Sequence, residues 1–206
     1  MQVTTIGLDL AKNIFQVHGV REDGSVAFNR PVRRAQLLNF FKKQPPCLVG
    51  MEACGSSHYW GRELTKLGHD VRLMAPVYVK PYVKRGKSDA ADAEAICEAV
   101  TRPTMRFVPI KSVEQQGVLT QHRVRELLIR QRTQLSNTIR ALVGEFGYII
   151  RKGVNYIRDF AIDMRAGGTE GIPSMARSAI TALCRQFLEL NEKLIKVEKE
   201  IVRVAR

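Results

Sequence analysis

The chain has 206 residues, 45% of them hydrophobic, which is enough to bury a core and excludes wholesale disorder. Lys and Arg number 33 against 20 Asp and Glu, a formal charge of +13, so the expected partner is polyanionic, with nucleic acid ahead of an anionic membrane. No long apolar run lacks charges, the N-terminus lacks the pattern of a signal peptide, and the four cysteines (Cys47, Cys54, Cys97, Cys184) form no C-x-x-C pair. These features point away from a transmembrane helix, a zinc site or a redox motif, and towards a cytoplasmic protein with reduced thiols.

In chain order, Thr4 to Leu10 reads as a strand and Ile14 to Val20 as a second, with Phe15 and Val17 alternating against Gln16 and His18. "EDGS" at Glu22 to Ser25 is a hairpin turn, because Asp-Gly tolerates positive φ, and Val26 to Val32 follows as a third strand. "RRAQLLNFFKKQ" has helical spacing and is stopped by Pro45-Pro46. "CLVGMEAC" reads as a buried strand, "SSHYWGRELTKLG" as a helix closed by Gly68, "DVRLMAP" as a fifth strand and "SDAADAEAICEAV" as a helix starting near Ser88 or Asp89. Residues 1–105 therefore run β-β-β-α-β-α-β-α, an α/β order matching the ribonuclease-H-like fold.

Residues 106–206 read as helical. A long basic helix is expected from Ser112 to about Val143 and a shorter one from Tyr156 to Arg165, with "AGGTEGIP" as a loop. Ile180, Leu183, Phe187, Leu190, Leu194, Val197, Ile201 and Val204 then recur at steps of three and four. This is a coiled-coil seam whose partner is either the Ser112 helix or a second copy of the chain.

A carboxylate on an apolar strand is costly without compensation, so Asp9 needs an explanation. Glu52 ends the fourth strand, and Asp89 and Asp92 share one face of a helix start. Taken singly, Asp89 is explained as a cap, Asp92 by the helix dipole and Glu52 as a strand-end charge in water. In the proposed topology the four converge, and repulsion among them calls for cations. Mg²⁺ fits as a hard, oxygen-seeking ion, and two such ions can clamp the attacking and leaving oxygens of a phosphodiester.

"GLDLAKNIFQV", "VGMEACGSSHYWGRELTKLGHDVRLMAP" and "KRGKSDAADAEAI" closely resemble the N-terminal part of the DEDD-type transposases of the insertion-sequence 110 family, which includes the Piv-type DNA invertases. The resemblance is specific over residues 1 to about 145. It implies a RuvC-like catalytic domain over 1–105 followed by a helical linker and oligomerisation region over 106–206. It also implies Mg-dependent DNA strand cleavage and transfer, with Asp9, Glu52, Asp89 and Asp92 as catalytic acids and metal ligands, and Mn²⁺ able to substitute. DNA, a structured guide RNA from the same element and further copies of the chain are the implied partners. The family's serine nucleophile is expected in a domain beyond Arg206; Ser174 and Ser178 sit at a helix start, where capping explains them.

"KPYVKRGK" places Lys80, Lys84, Arg85 and Lys87 just before Asp89, where a phosphate backbone could run, and Arg123 and Arg130 extend the basic surface along the long helix. His18, His58, His69 and His122 have no ligand spacing and read as structural or surface residues, and Tyr59 and Trp60 read as core. The competing readings are an inactive nucleic-acid-binding and oligomerising module and a RuvC-like structure-specific nuclease. An actin-like ATPase would need a glycine-rich phosphate turn that "LDLAKNIF" lacks.

Overall fold

The computed structural model describes residues 2–84 and 88–204. They form a mixed α/β structure that divides into two compact units, Met1–Ser112 and Val113–Arg206. Among the described residues no helix is long and apolar enough to cross a membrane.

The first unit is built on a six-stranded sheet. Strands β1 (Val3–Asp9), β2 (Ile14–Arg21), β3 (Val26–Arg33), β4 (Leu48–Glu52), β5 (Asp70–Met74) and β6 (Phe107–Val108) lie in the order β3-β2-β1-β4-β5-β6. β1 pairs antiparallel with β2 and parallel with β4. The β2–β3 turn is held by Asp23, whose carboxylate accepts from the Ser25 N–H at 2.9 Å and hydroxyl at 2.7 Å, while Gly24 takes φ +80°. The two-residue β6, antiparallel to β5, lies in a segment that carries no strand periodicity of its own.

Strand alternation gives the sheet two different faces. On one, Ile6, Leu8, Phe15, Val17, Val49 and Met51 form the main core with helices α1 (Leu37–Lys42) and α2 (Ser57–Lys66). Trp60 joins this core, its ring edge-on to Phe15 at 5.3 Å. Tyr59 does not. It is 45% exposed, so its expected core position is corrected: one helical step turns it off the face that Trp60 buries.

The other face is lowered at its centre by a pair of glycines. Gly7 and Gly50 are register partners on β1 and β4, and helix α4 (Asp89–Val100) lies directly over them. A Cβ on Gly7 would come 2.1 Å from the Ala93 carbonyl oxygen, and one on Gly50 would come 2.7 Å from Val100 Cβ. The glycine pair is thus the floor on which α4 sits. A four-residue helix, α3 (Pro76–Val79), precedes it, followed by a single 3-10 turn at Lys80–Tyr82.

The second unit contains α5 (Val113–Gly144), α6 (Val154–Arg165) and α7 (Ser174–Val204). α5 and α7 pack antiparallel. Arg125 pairs with Glu198 at 2.9 Å and Arg132 donates to Asn191 at 3.1 Å, so rising numbers on one helix meet falling numbers on the other. The core of this unit includes Ile139, Val143, Ile157, Ile180, Cys184 and Phe187. Ile180, Phe187, Leu190 and Leu194 of the heptad run are buried, with Cys184 rather than Leu183 fully buried beside them.

Candidate active site

Asp9 is the last residue of β1 and Glu52 the last of β4. Each lies two positions beyond one of the floor glycines, so both belong to the face covered by α4. α4 begins with Ser88 as its N-cap, the Oγ accepting from the Ala91 N–H at 3.2 Å, which leaves Asp89 and Asp92 in the first turn. Carboxylate oxygens of Asp9, Asp89 and Asp92 lie within 4.8 Å of one another. Glu52 stands outside that group but lines the same cleft, of about 790 Å³, together with all three aspartates, Ser88 and Lys80.

Burial and mutual repulsion dominate the electrostatics of the acids. Burial raises the Asp9 carboxyl above its usual range, and the charges of Asp92 and then Asp89 add to it, against one opposing hydrogen bond from the Leu10 backbone. Glu52 is raised by burial, then by Asp9 and Asp92. Among the described residues none of the four acids forms an ion pair with Lys or Arg. An oxygen-only donor set with excess negative charge is what a hard divalent cation requires, whereas zinc sites favour nitrogen and sulfur donors. The residues present therefore fit a hard divalent cation.

Two residues without a role in the sequence reading hold the α4 end of the site. Gln16 Nε2 donates to Asn29 Oδ1 at 2.6 Å, and Asn29 Nδ2 donates to the Ala90 carbonyl at 3.3 Å. This chain of bonds ties β2 and β3 to the first turn of α4. The available signal was a polar Gln16 between the buried Phe15 and Val17, on the strand face opposite the main core.

The basic residues singled out in the sequence are spread more widely. Lys80 is exposed at the rim of the acidic cleft. Lys84 is held by Glu94 at 2.5 Å, which raises the lysine pKa and lowers that of the glutamate. Arg123 and Arg130 are exposed on α5 in the second unit. Arg85 and Lys87 lie outside the described residues.

The transposase family model for DEDD enzymes of the IS110 type matches residues 6–147, a span that contains all four acids. The chain belongs to this transposase family. A "Probable family 20 transposase" of Pseudomonas aeruginosa is 50% identical over 202 residues, which cover 98% of this chain and 60% of that protein. The "Transposase for insertion sequence element IS1328" of Yersinia enterocolitica is 37% identical, over 97% of this chain and 59% of its own length. The "Transposase for insertion sequence element IS1111A" of Coxiella burnetii is 35% identical, over 99% of this chain and 56% of its own length. The chain thus spans a little over half the length of these transposases.

Proposed function

We propose that this chain is the N-terminal part of an insertion-sequence transposase that cleaves and transfers DNA strands at a site formed by Asp9, Glu52, Asp89 and Asp92. The observation that carries the reading is the approach of three carboxylates from two distant segments to within 4.8 Å, with no ion pair to Lys or Arg among the described residues. The first unit is read as ribonuclease-H-like. An antiparallel β1–β3 meander followed by parallel β4 and β5, with Asp9 and Glu52 at strand ends, supports that assignment.

Asp9, Glu52, Asp89 and Asp92 would hold Mg²⁺, most simply as a pair of ions, with Mn²⁺ able to substitute. When bound, such ions stabilise charge on the attacking and leaving oxygens of a phosphodiester. The protein's part is positional. Asp9 is set by its pairing with Gln16 of β2 just beyond the β1–β4 pairing of Leu8 with Met51, and Asp89 and Asp92 by the Ser88 cap and the Asn29 bond to Ala90. Lys80 at the rim is placed to meet a phosphate approaching the cleft, and Arg123 and Arg130 extend the basic surface.

The second unit is read as a linker and self-association region. Val118, Val124 and Leu127 of α5 and Ile195 and Val202 of α7 are large apolar residues left exposed, which supports association of copies. A guide RNA from the same element and action in the bacterial cytoplasm complete the reading, both resting on the family. Titration calorimetry with Mn²⁺ tests the core of it. Asp9→Asn and Glu52→Gln are each expected to weaken binding by about tenfold or more, and affinity unchanged in both would remove the metal assignment.

A further inference from the structure

From Gly24 to Met51 the chain carries no aspartate or glutamate but five bases, Arg30, Arg33, Arg34, Lys42 and Lys43. All five are exposed, and among the described residues none makes an ion pair. Two of the guanidinium groups are held in place. Arg30 stacks on Phe40 at 5.2 Å. Arg34 lies 5.5 Å from the Phe15 ring and 5.3 Å from that of Trp60, and it donates to the Lys12 carbonyl at 3.4 Å. A shallow cleft of about 360 Å³ runs between β3 and α1, where Arg30 and Lys43 are joined by the amide side chains of Gln36 and Asn39.

The sheet register relates this patch to the acids. β1 and β3 are both antiparallel to β2, so they run in the same direction. Asp9 pairs with Gln16, and Gln16 pairs with Pro31, which puts Arg33 two residues further towards the end of the sheet where Asp9 lies. Two strand spacings separate the Asp9 row from β3, roughly 10 Å. That distance corresponds to about three base-pair steps of 3.4 Å measured along the axis of a DNA duplex.

We propose that β3 and α1 form a second phosphate-binding surface, which carries the DNA backbone away from the acidic cleft past Arg33 and around the β3 edge of the sheet to Arg34, Arg30 and Lys43 on the α1 side. The direction of the path rests on the strand-cleavage reading given above; the surface itself does not. Guanidinium groups held by aromatic stacking offer fixed forks to phosphate oxygens at a low entropic cost, and amides between them add neutral donors. An anionic membrane is a poor fit, since Val26 is the single large hydrophobic residue exposed between Gly24 and Met51.

The test is fluorescence anisotropy of a short labelled DNA duplex with the 206-residue chain in EDTA, comparing wild type with Arg33→Gln/Lys43→Gln. Both sites are exposed, and Arg34 keeps its packing. Loss of two phosphate contacts is expected to weaken binding about fivefold or more, and to flatten the slope of log K against log salt by roughly 1.8 between about 0.05 and 0.2 M salt. An unchanged affinity and slope would overturn the surface, and an unlabelled RNA hairpin outcompeting the duplex would overturn its assignment to DNA. Calorimetry with Mn²⁺ separates the two readings. Wild type that fails to bind Mn²⁺ would sink the metal site while the anisotropy still decides the surface, and a variant that loses Mn²⁺ affinity would show a folding effect and overturn the proposal.

Discussion

Single side chains in this molecule are tuned by burial more than by ion pairing. His69 is 4% exposed with both ring nitrogens engaged. The Cys47 backbone N–H donates to Nδ1 at 3.3 Å, so Nε2 carries the proton and donates to the Phe41 carbonyl, also at 3.3 Å. Protonating Nδ1 would break the first of these bonds and bury a charge. Burial accordingly lowers the His69 pKa below 6.5, against a raising effect from Phe41. His18, buried over the other face of the sheet, is lowered by burial as well. The sign follows directly: between the folded and unfolded values the unfolded chain binds the extra proton and the folded chain does not. The histidine contribution to stability is therefore expected to fall as the pH drops below about 6.5, offset at lower pH by Asp9 and Glu52, whose raised carboxyls take up protons first in the folded chain. Urea melts at pH 7.5 and pH 5.5 check this, and His69→Gln should reduce the difference between them; a loss as large as in wild type would remove His69 from the account.

Between elements, the decisive contact is the seating of α4 on β1 and β4, because it brings Asp89 and Asp92 to Asp9. The two floor glycines fail differently when filled. At Gly7 the obstacles are backbone atoms of α4, the Ala93 carbonyl and the Cys97 nitrogen. At Gly50 the obstacle is the Val100 side chain. Gly50→Ala is expected to cost roughly 1–3 kcal/mol through overpacking. Gly50→Ala/Val100→Ala should recover much of that, because the clash and its cause are removed together. Gly7→Ala has no such remedy and should weaken Mn²⁺ binding as well, since α4 must lift. Thermal melts with Mn²⁺ titrations check both cases, and a Gly50→Ala variant as stable as wild type would show that α4 rides higher than described.

At the scale of the molecule, each hydrophobic cluster among the described residues draws on one unit alone. Two lie within 1–112 and the third within 113–206. The first unit of 112 residues is a size at which a domain folds by itself, and all four acids lie in it. A fragment ending at Ser112 is expected to melt cooperatively and to bind Mn²⁺ with the affinity of the longer chain. A fragment from Val113 onwards should be helical by circular dichroism; if it carries the proposed self-association, Leu127→Glu is expected to shift its mass in light scattering towards the monomer, and an unchanged mass would remove α5 from that role. A first-unit fragment without a cooperative melt would mean that the second unit contributes to its stability.

Local periodicity made much of this protein legible in the sequence. Alternation of Phe15 and Val17 with Gln16 and His18 marks a strand with two unlike faces. The three-residue spacing of Asp89 and Asp92 behind a Ser cap marks a helix start with two acids on one side, and the steps from Ile180 to Val204 mark a seam. Periodicity reports which face of an element is apolar; it does not say what that face meets. Only the tertiary structure decided that α7 runs antiparallel to α5 of the same chain, that Cys184 shares the buried seam, and that Tyr59 turns outward while Trp60 turns in. Only register decided that Gly7 and Gly50 lie side by side, and only the seating of α4 on them brought Asp9 to Asp89 and Asp92 while leaving Glu52 outside the tight group. Those pairings join residues far apart in the chain, and a sequence pattern carries no record of such distances.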